Sequence, residues 1–113
     1  MPNDSIFTKI INRELPSTIQ YEDDEFIAIN DIHPSAPVHV LVIPKKPYET
    51  LEQVDMSDEH FHAKLLLIAR KVAQKMGIAD NYKLVMNVGK GVQLVHHIHM
   101  HVMGGWKNVE DGQ

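Results

Sequence analysis

The run "HIHMHVMGG", residues 97–105, alternates histidine with an apolar residue, and a period of two is the pattern of a β-strand with unlike faces. It sets His97, His99 and His101 on one side, and Ile98, Met100 and Val102 on the other, where His96 is also expected. Same-face neighbours on a strand lie roughly 7 Å apart, so three rings can converge on one small anionic group. Whatever the chain folds into must include a sheet with one apolar face and one face of imidazoles.

The rest of the chain supplies partners for that strand. Asp4 or Ser5 can cap a short helix with Ile6, Phe7, Ile10 and Ile11 along one side, stopped by Pro16. "TIQY" reads as a strand, the acidic "EDDE" as a turn, "FIAIN" as a second strand, "DIHPSAP" as a loop and "VHVLVIP" as a buried strand. One long helix is expected from a Ser57 cap to about Met76, with Phe61, Leu65, Ile68, Val72 and Met76 at helical spacing and Gly77 to end it. "YKLVMNV", the loop "GKGVQ" and the histidine strand, ending at Gly104 and Gly105, complete the order. That order predicts an α+β fold, an antiparallel sheet of about five strands with one long and one short helix, the long one across one sheet face.

Composition narrows the setting. A chain of 113 residues, 43% apolar and 23% charged, reads as one domain, 1–113, with 107–113 as a flexible tail. The formal charge of −4 argues against a nucleic-acid polymer as partner, although Lys45 and Lys46 make a small basic patch. With no cysteine there is no zinc–thiolate site, so any metal would have to rest on histidines and carboxylates. The start "MPNDSIFTKI" lacks the basic segment and apolar run of a signal peptide, and "VLVI" is far too short to cross a bilayer. A soluble cytoplasmic protein with no membrane partner is expected.

Three readings of the histidine face are open. An exposed histidine-rich surface is one, although three imidazoles side by side would partly charge and repel near physiological pH. A metal site is another: imidazole suits zinc, copper or nickel, but the strand carries no carboxylate, so Asp31 and His39 would have to be recruited from elsewhere. The third is nucleophilic catalysis at phosphorus. A neutral imidazole attacks through one nitrogen while a carbonyl orients it through the other, and the resulting phosphorylated ring is labile to water.

The motif and its surroundings carry a family resemblance. "HIHMHVMGG" fits the His-x-His-x-His-x-x signature of the histidine-triad (HIT) family. Together "IFTKIINRELPS", "DIHPSAPVHVLVIPKKP" and "NVGKGVQLVHHIHMHVMGG" resemble a Hint-type member, the nucleoside phosphoramidase branch, over nearly the whole chain. The resemblance implies that His99 is the nucleophile, giving a nucleotidyl-histidine intermediate, and that the backbone carbonyl of His97 orients it. It implies that His101 binds phosphate oxygens and helps proton transfer, and that His39 lies near the scissile bond. Asp31 would accept the ribose hydroxyls, and Asn87 would lie near the leaving-group side of the phosphate. Ile6, Phe7, Ile10, Ile29 and Ile32 would line the base pocket, and Gly91, Val92 and Gln93 would belong to the substrate-binding loop. No metal and no cofactor is implied. The substrate would be a purine nucleotide carrying an amine on its α-phosphate, and the protein a two-fold homodimer joining two sheets and packing the long helices together.

Each position also has a purely structural reading. His39 can be a hydrogen-bonded core histidine, Asp31 a turn residue, Asn87 a strand-end residue bonded to backbone, and the isoleucines simply core. His60 and His62 are expected on the helix surface. The chain departs from the Hint pattern as well: its phosphate loop is about one residue shorter, Val92 stands where glycine is common, Leu94 where serine is, and His96 where tyrosine is. The tail "WKNVEDGQ" is also unlike the familiar segment. Purine nucleoside phosphoramidase is therefore the expected function, an adenosine 5′-monophosphoramidase-type hydrolase, with leaving-group preference open. A metal-dependent hydrolase and a nucleotide-binding scaffold with little turnover are the alternatives.

Overall fold

In the computed structural model, which describes residues 5–107, the elements run α1 (Ile6–Ile11), β1 (Ile19–Glu22), β2 (Phe26–Asn30), β3 (Val38–Pro44), α2 (Glu59–Lys75), β4 (Tyr82–Val85) and β5 (Met100–Gly104). A short 3-10 helix, Leu51–Gln53, precedes α2. The five strands form one antiparallel sheet in the order β1-β2-β3-β5-β4. The β-branched runs of β2 and β3 lie at its centre, as their propensity favours, with Ala28 opposite Val42. The fold is α+β with one long and one short helix, as the patterns predict.

Alternation along β3 and β5 divides the apolar residues into two layers. Val40, Val42, Ile98 and Val102 face α2, where they pack with Phe61, Leu65, Ile68 and Val72. On the other side Ile27, Ile29, Leu41 and Ile43 pack with Phe7 and Ile10 of α1. Register places Leu41 opposite His101 and His39 opposite Met103, so the histidines share the α1 side with aliphatic residues. That face is therefore mixed, not purely imidazole. At the end of β5 Gly104 allows close approach of the chain: a Cβ there would lie 2.8 Å from Ile78 and 2.9 Å from the Asn81 carbonyl.

Several boundaries differ from the sequence-based expectation, each for a local reason. The cap of α2 is Asp58, which accepts the Phe61 N–H at 3.0 Å, while Ser57 is held in a turn by Asp55. Ser5 caps α1, and the helix ends at Ile11, with Arg13 in a left-handed conformation before Pro16 is reached. β4 stops at Val85 rather than continuing to Val88. The ladder of β5 begins only at Met100, because the Ile98 N–H is taken by the Tyr48 carbonyl rather than by a strand neighbour. His97 and His99 therefore precede the strand, and His96 is exposed rather than packed with Ile98. Asp4 and the tail from 108 onward lie outside the described residues. Among the described residues no helix is long and apolar enough to cross a membrane.

Candidate active site

Where β5 meets β3 and the first turn of α1, four imidazoles come together. His97 and His99 arrive on the segment leading into β5, His101 sits in β5 opposite Leu41, and His39 comes from β3. Ring centroids of His99 and His101 are 5.1 Å apart, as are those of His101 and His39. His39, His97 and His99 are buried, and His101 is half-buried. Buried imidazoles need hydrogen-bond partners, and those partners determine which nitrogen of each neutral ring carries the proton.

His97 Nε2 is 2.8 Å from the Pro44 carbonyl, which can only accept, so Nε2 carries its proton. His39 receives the Ser35 backbone N–H on Nδ1 at 3.0 Å, which places its proton on Nε2 as well. That proton is donated to His101 Nδ1 at 2.8 Å, leaving His101 protonated on Nε2. His99 is opposite: its Nδ1–H donates to the carbonyl oxygen of His97 at 2.8 Å, so its Nε2 holds the lone pair. Among the described residues this is the one triad nitrogen left unprotonated without a hydrogen-bond partner. Burial lowers the pKa of His97, with the Pro44 carbonyl opposing and His99 adding to the shift. Burial, then His99 and His39, lowers that of His101, against the opposing pull of Asp31.

Asp31 stands beside this cluster, Oδ2 lying 3.4 Å from His39 Nε2, while Oδ1 accepts the His33 N–H at 2.8 Å in a turn. Asp31, His39 and His101 form a group whose ligand atoms all lie within 4.8 Å of one another, the residues a metal reading would recruit. The donor set does not fit a cation. With Nδ1 of His39 occupied by a backbone N–H, its Nε2 must keep the proton and point N–H, not a lone pair, into the group.

Of the apolar positions, Phe7, Ile10 and Ile29 are buried, and the Phe7 ring lies edge-on to His99 at 5.0 Å. Ile6 and Ile32 are exposed, Ile32 by 72%. Asn87, Gly91 and Val92 are exposed on the loop after β4, and no hydrogen bond or ring contact among the described residues joins them to the histidines. Gln93 is buried and its amide is spent on backbone: Oε1 accepts the Gly89 N–H, and Nε2 donates to the carbonyls of Glu49 and Val95. Its side chain shapes the loop. Three participants were not singled out in the sequence: Ser35 and Pro44, which act through backbone, and Thr8, whose hydroxyl reaches His97. Only Thr8 left a signal, one turn from Ser5 on the same side of α1.

Comparison with known proteins points to a family. The family model described as HIT domain matches residues 12–108. The purine nucleoside phosphoramidase of Escherichia coli K12 is 45% identical over 107 residues, covering 93% of this chain and 90% of that protein. An uncharacterised HIT-like protein of Synechocystis is 49% identical over 106 residues, 93% of each. Among solved structures, a HIT family hydrolase from Clostridium thermocellum superposes with a TM-score of 0.88 at 42% identity, covering all of both chains.

Proposed function

The chain belongs to the HIT family, and from that footing we infer that it is a purine nucleoside phosphoramidase, hydrolysing the P–N bond of a nucleoside 5′-monophosphoramidate to nucleotide and amine. The observation that carries the reading is the free Nε2 of His99, held by the His97 carbonyl at its other nitrogen. The name of the Escherichia coli relative supports the substrate class.

In this mechanism Nε2 of His99 attacks the α-phosphorus as the P–N bond breaks, and the amine leaves with a proton. His101, protonated on Nε2 and adjacent to His99, is the donor to the phosphate oxygens and the departing nitrogen, and His39 holds its ring. Water then cleaves the nucleotidyl-histidine, its oxygen going to phosphorus and its proton back to His101, which releases the monophosphate and restores both imidazoles. Asp31 accepts the ribose hydroxyls. Phe7, Ile10 and Ile29 back the base, and exposed Ile6 and Ile32 offer apolar area for a purine to cover. Asn87, Gly91 and Val92 bound the phosphate side, with the loop braced by Gln93.

The protein works as a cytoplasmic homodimer. Supporting the dimer are Leu66 and Leu67, each about half exposed on α2, and the open edge of β4. The test of the activity is turnover of adenosine and guanosine phosphoramidates by purified protein. Nucleotide binding without product would instead favour a scaffold.

A further inference from the structure

His97 is the most deeply buried of the four histidines, at 1% exposure. With its Nε2–H committed to the Pro44 carbonyl, Nδ1 is a buried acceptor that needs a donor. Two hydroxyls reach it, both from the start of α1. Ser5 Oγ lies at 3.3 Å and Thr8 Oγ1 at 3.4 Å, with 3.4 Å between the two oxygens. Ser5 Oγ also accepts the Thr8 N–H at 3.1 Å, so one side chain both caps the helix and meets the imidazole. Phe7, between them in sequence, sets its ring edge-on to His97 at 6.0 Å and to His99 at 5.0 Å. At the backbone of His97, the carbonyl receives Nδ1–H of His99.

We propose that Ser5 and Thr8 are positioning residues for the nucleophile: their hydroxyls hold the His97 ring, and through the His97 backbone they keep His99 in the tautomer that frees Nε2. The proposal rests on the reading of His99 as the attacking residue. A neutral imidazole can place its proton on either nitrogen, and here the choice follows one bond to one carbonyl. That carbonyl is as well placed as the residue bearing it, and among the described residues the hydrogen bonds that hold the His97 ring run to the Pro44 carbonyl from one nitrogen and from these hydroxyls to the other. Either hydroxyl can serve Nδ1, so the pair is partly redundant. Without both, the buried lone pair has no donor, the ring shifts to find one, and the carbonyl moves with it. Small displacements of a reacting group are costly, up to about 100-fold in rate for roughly 1 Å.

The experiment combines Ser5→Gly, since glycine still caps acceptably, with Thr8→Val, which keeps shape and removes the hydroxyl. Steady-state kinetics with an adenosine phosphoramidate are read beside nitrogen-15 NMR of the histidine rings. In the wild type the rings should show opposite tautomers, His97 protonated on Nε2 and His99 on Nδ1. In the double variant kcat should fall about 10- to 100-fold with KM little changed, and the Nδ1–H form of His99 should give way to a mixture. Exchanging the hydroxyls, Ser5→Thr with Thr8→Ser, should restore both. Unchanged ring spectra and kcat in the folded double variant, or a loss the exchanged pair does not rescue, would overturn the proposal. If the double variant fails to fold, the single variants decide, each expected to shift the His99 spectrum the same way by less. A wild type without turnover would count against the attacking role of His99, while the ring spectra would still judge the hydroxyls.

Discussion

The carbonyl oxygen of His97 lies 2.8 Å from Nδ1 of His99, so a backbone group, not a carboxylate, orients the ring with the free nitrogen. A carbonyl can accept but never takes up a proton itself. The ring it holds is thereby kept in one tautomer without a neighbouring charge, and catalysis by such a ring needs neither a metal nor a buried acid.

Acid should destabilise the fold through the histidines before it reaches the carboxylates. His97 and His101 both have pKa values lowered by burial from the ordinary 6.5, so below that pH the unfolded chain binds protons that the folded one refuses. Their contribution is fully present above about pH 6.5 and is lost as pH falls toward the folded values. Asp23 acts lower: burial would raise it, but hydrogen bonds from Tyr21, Lys64 and the Glu25 and Phe26 N–H groups hold it well below the carboxylate range. The thermal midpoint should therefore drop between about pH 7 and 5, with net proton uptake on unfolding in calorimetry. A flat midpoint over that range would show that the buried rings do not titrate as described.

Asp31 holds the turn at His33, and the proposed function gives it a second task at the ribose; a conservative change separates the two. Asp31→Asn keeps an oxygen for the His33 N–H but removes the charge offered to ribose. Ribonucleotide binding should weaken about tenfold or more, since a charged acceptor is worth roughly 1.5–3 kcal/mol, and deoxyribonucleotide binding should weaken much less. Titration calorimetry with the paired nucleotides measures this, and equal losses for both sugars would remove Asp31 from the ribose.

Part of the site could be read from alternation. The period of two put His97, His99 and His101 on one side, whereas His39 in "VHVLVIP" reads by pattern as a core histidine, and only the family resemblance set it beside the triad, where β3 pairs with β5. What pattern could not reveal was protonation. That depends on Pro44 and Ser35, whose contributions are a carbonyl and an N–H that every sequence possesses. Ser57 read as the cap of α2, but the Asp55 turn captures it, and Asp58 takes the position instead. Gln93 looked like a ligand residue, yet its amide closes the loop from within.

Metal removal should leave turnover unchanged. The one cluster of candidate ligands among the described residues, Asp31, His39 and His101, directs an N–H from His39 inward. Exhaustive chelation followed by assay checks this. Activity abolished by chelation and restored by zinc would reinstate a metal-dependent hydrolase.

Sedimentation at micromolar concentration should show a dimer. Leu66 and Leu67 leave apolar area on α2 that association would cover. Leu66→Glu with Leu67→Glu should yield a folded monomer. A monomeric wild type would remove the dimer from this account.

The most direct test of the central claim is to trap the covalent intermediate. Rapid quenching of the wild type with an adenosine phosphoramidate, followed by peptide mapping under conditions that preserve an acid-labile P–N linkage, should find one nucleotide on His99. His99→Ala should lose the adduct and nearly all turnover while still binding nucleotide, because Asp31 and the apolar positions remain. An adduct on His97 or His101, or full turnover by His99→Ala, would contradict the assignment of the free Nε2 as the attacking nitrogen.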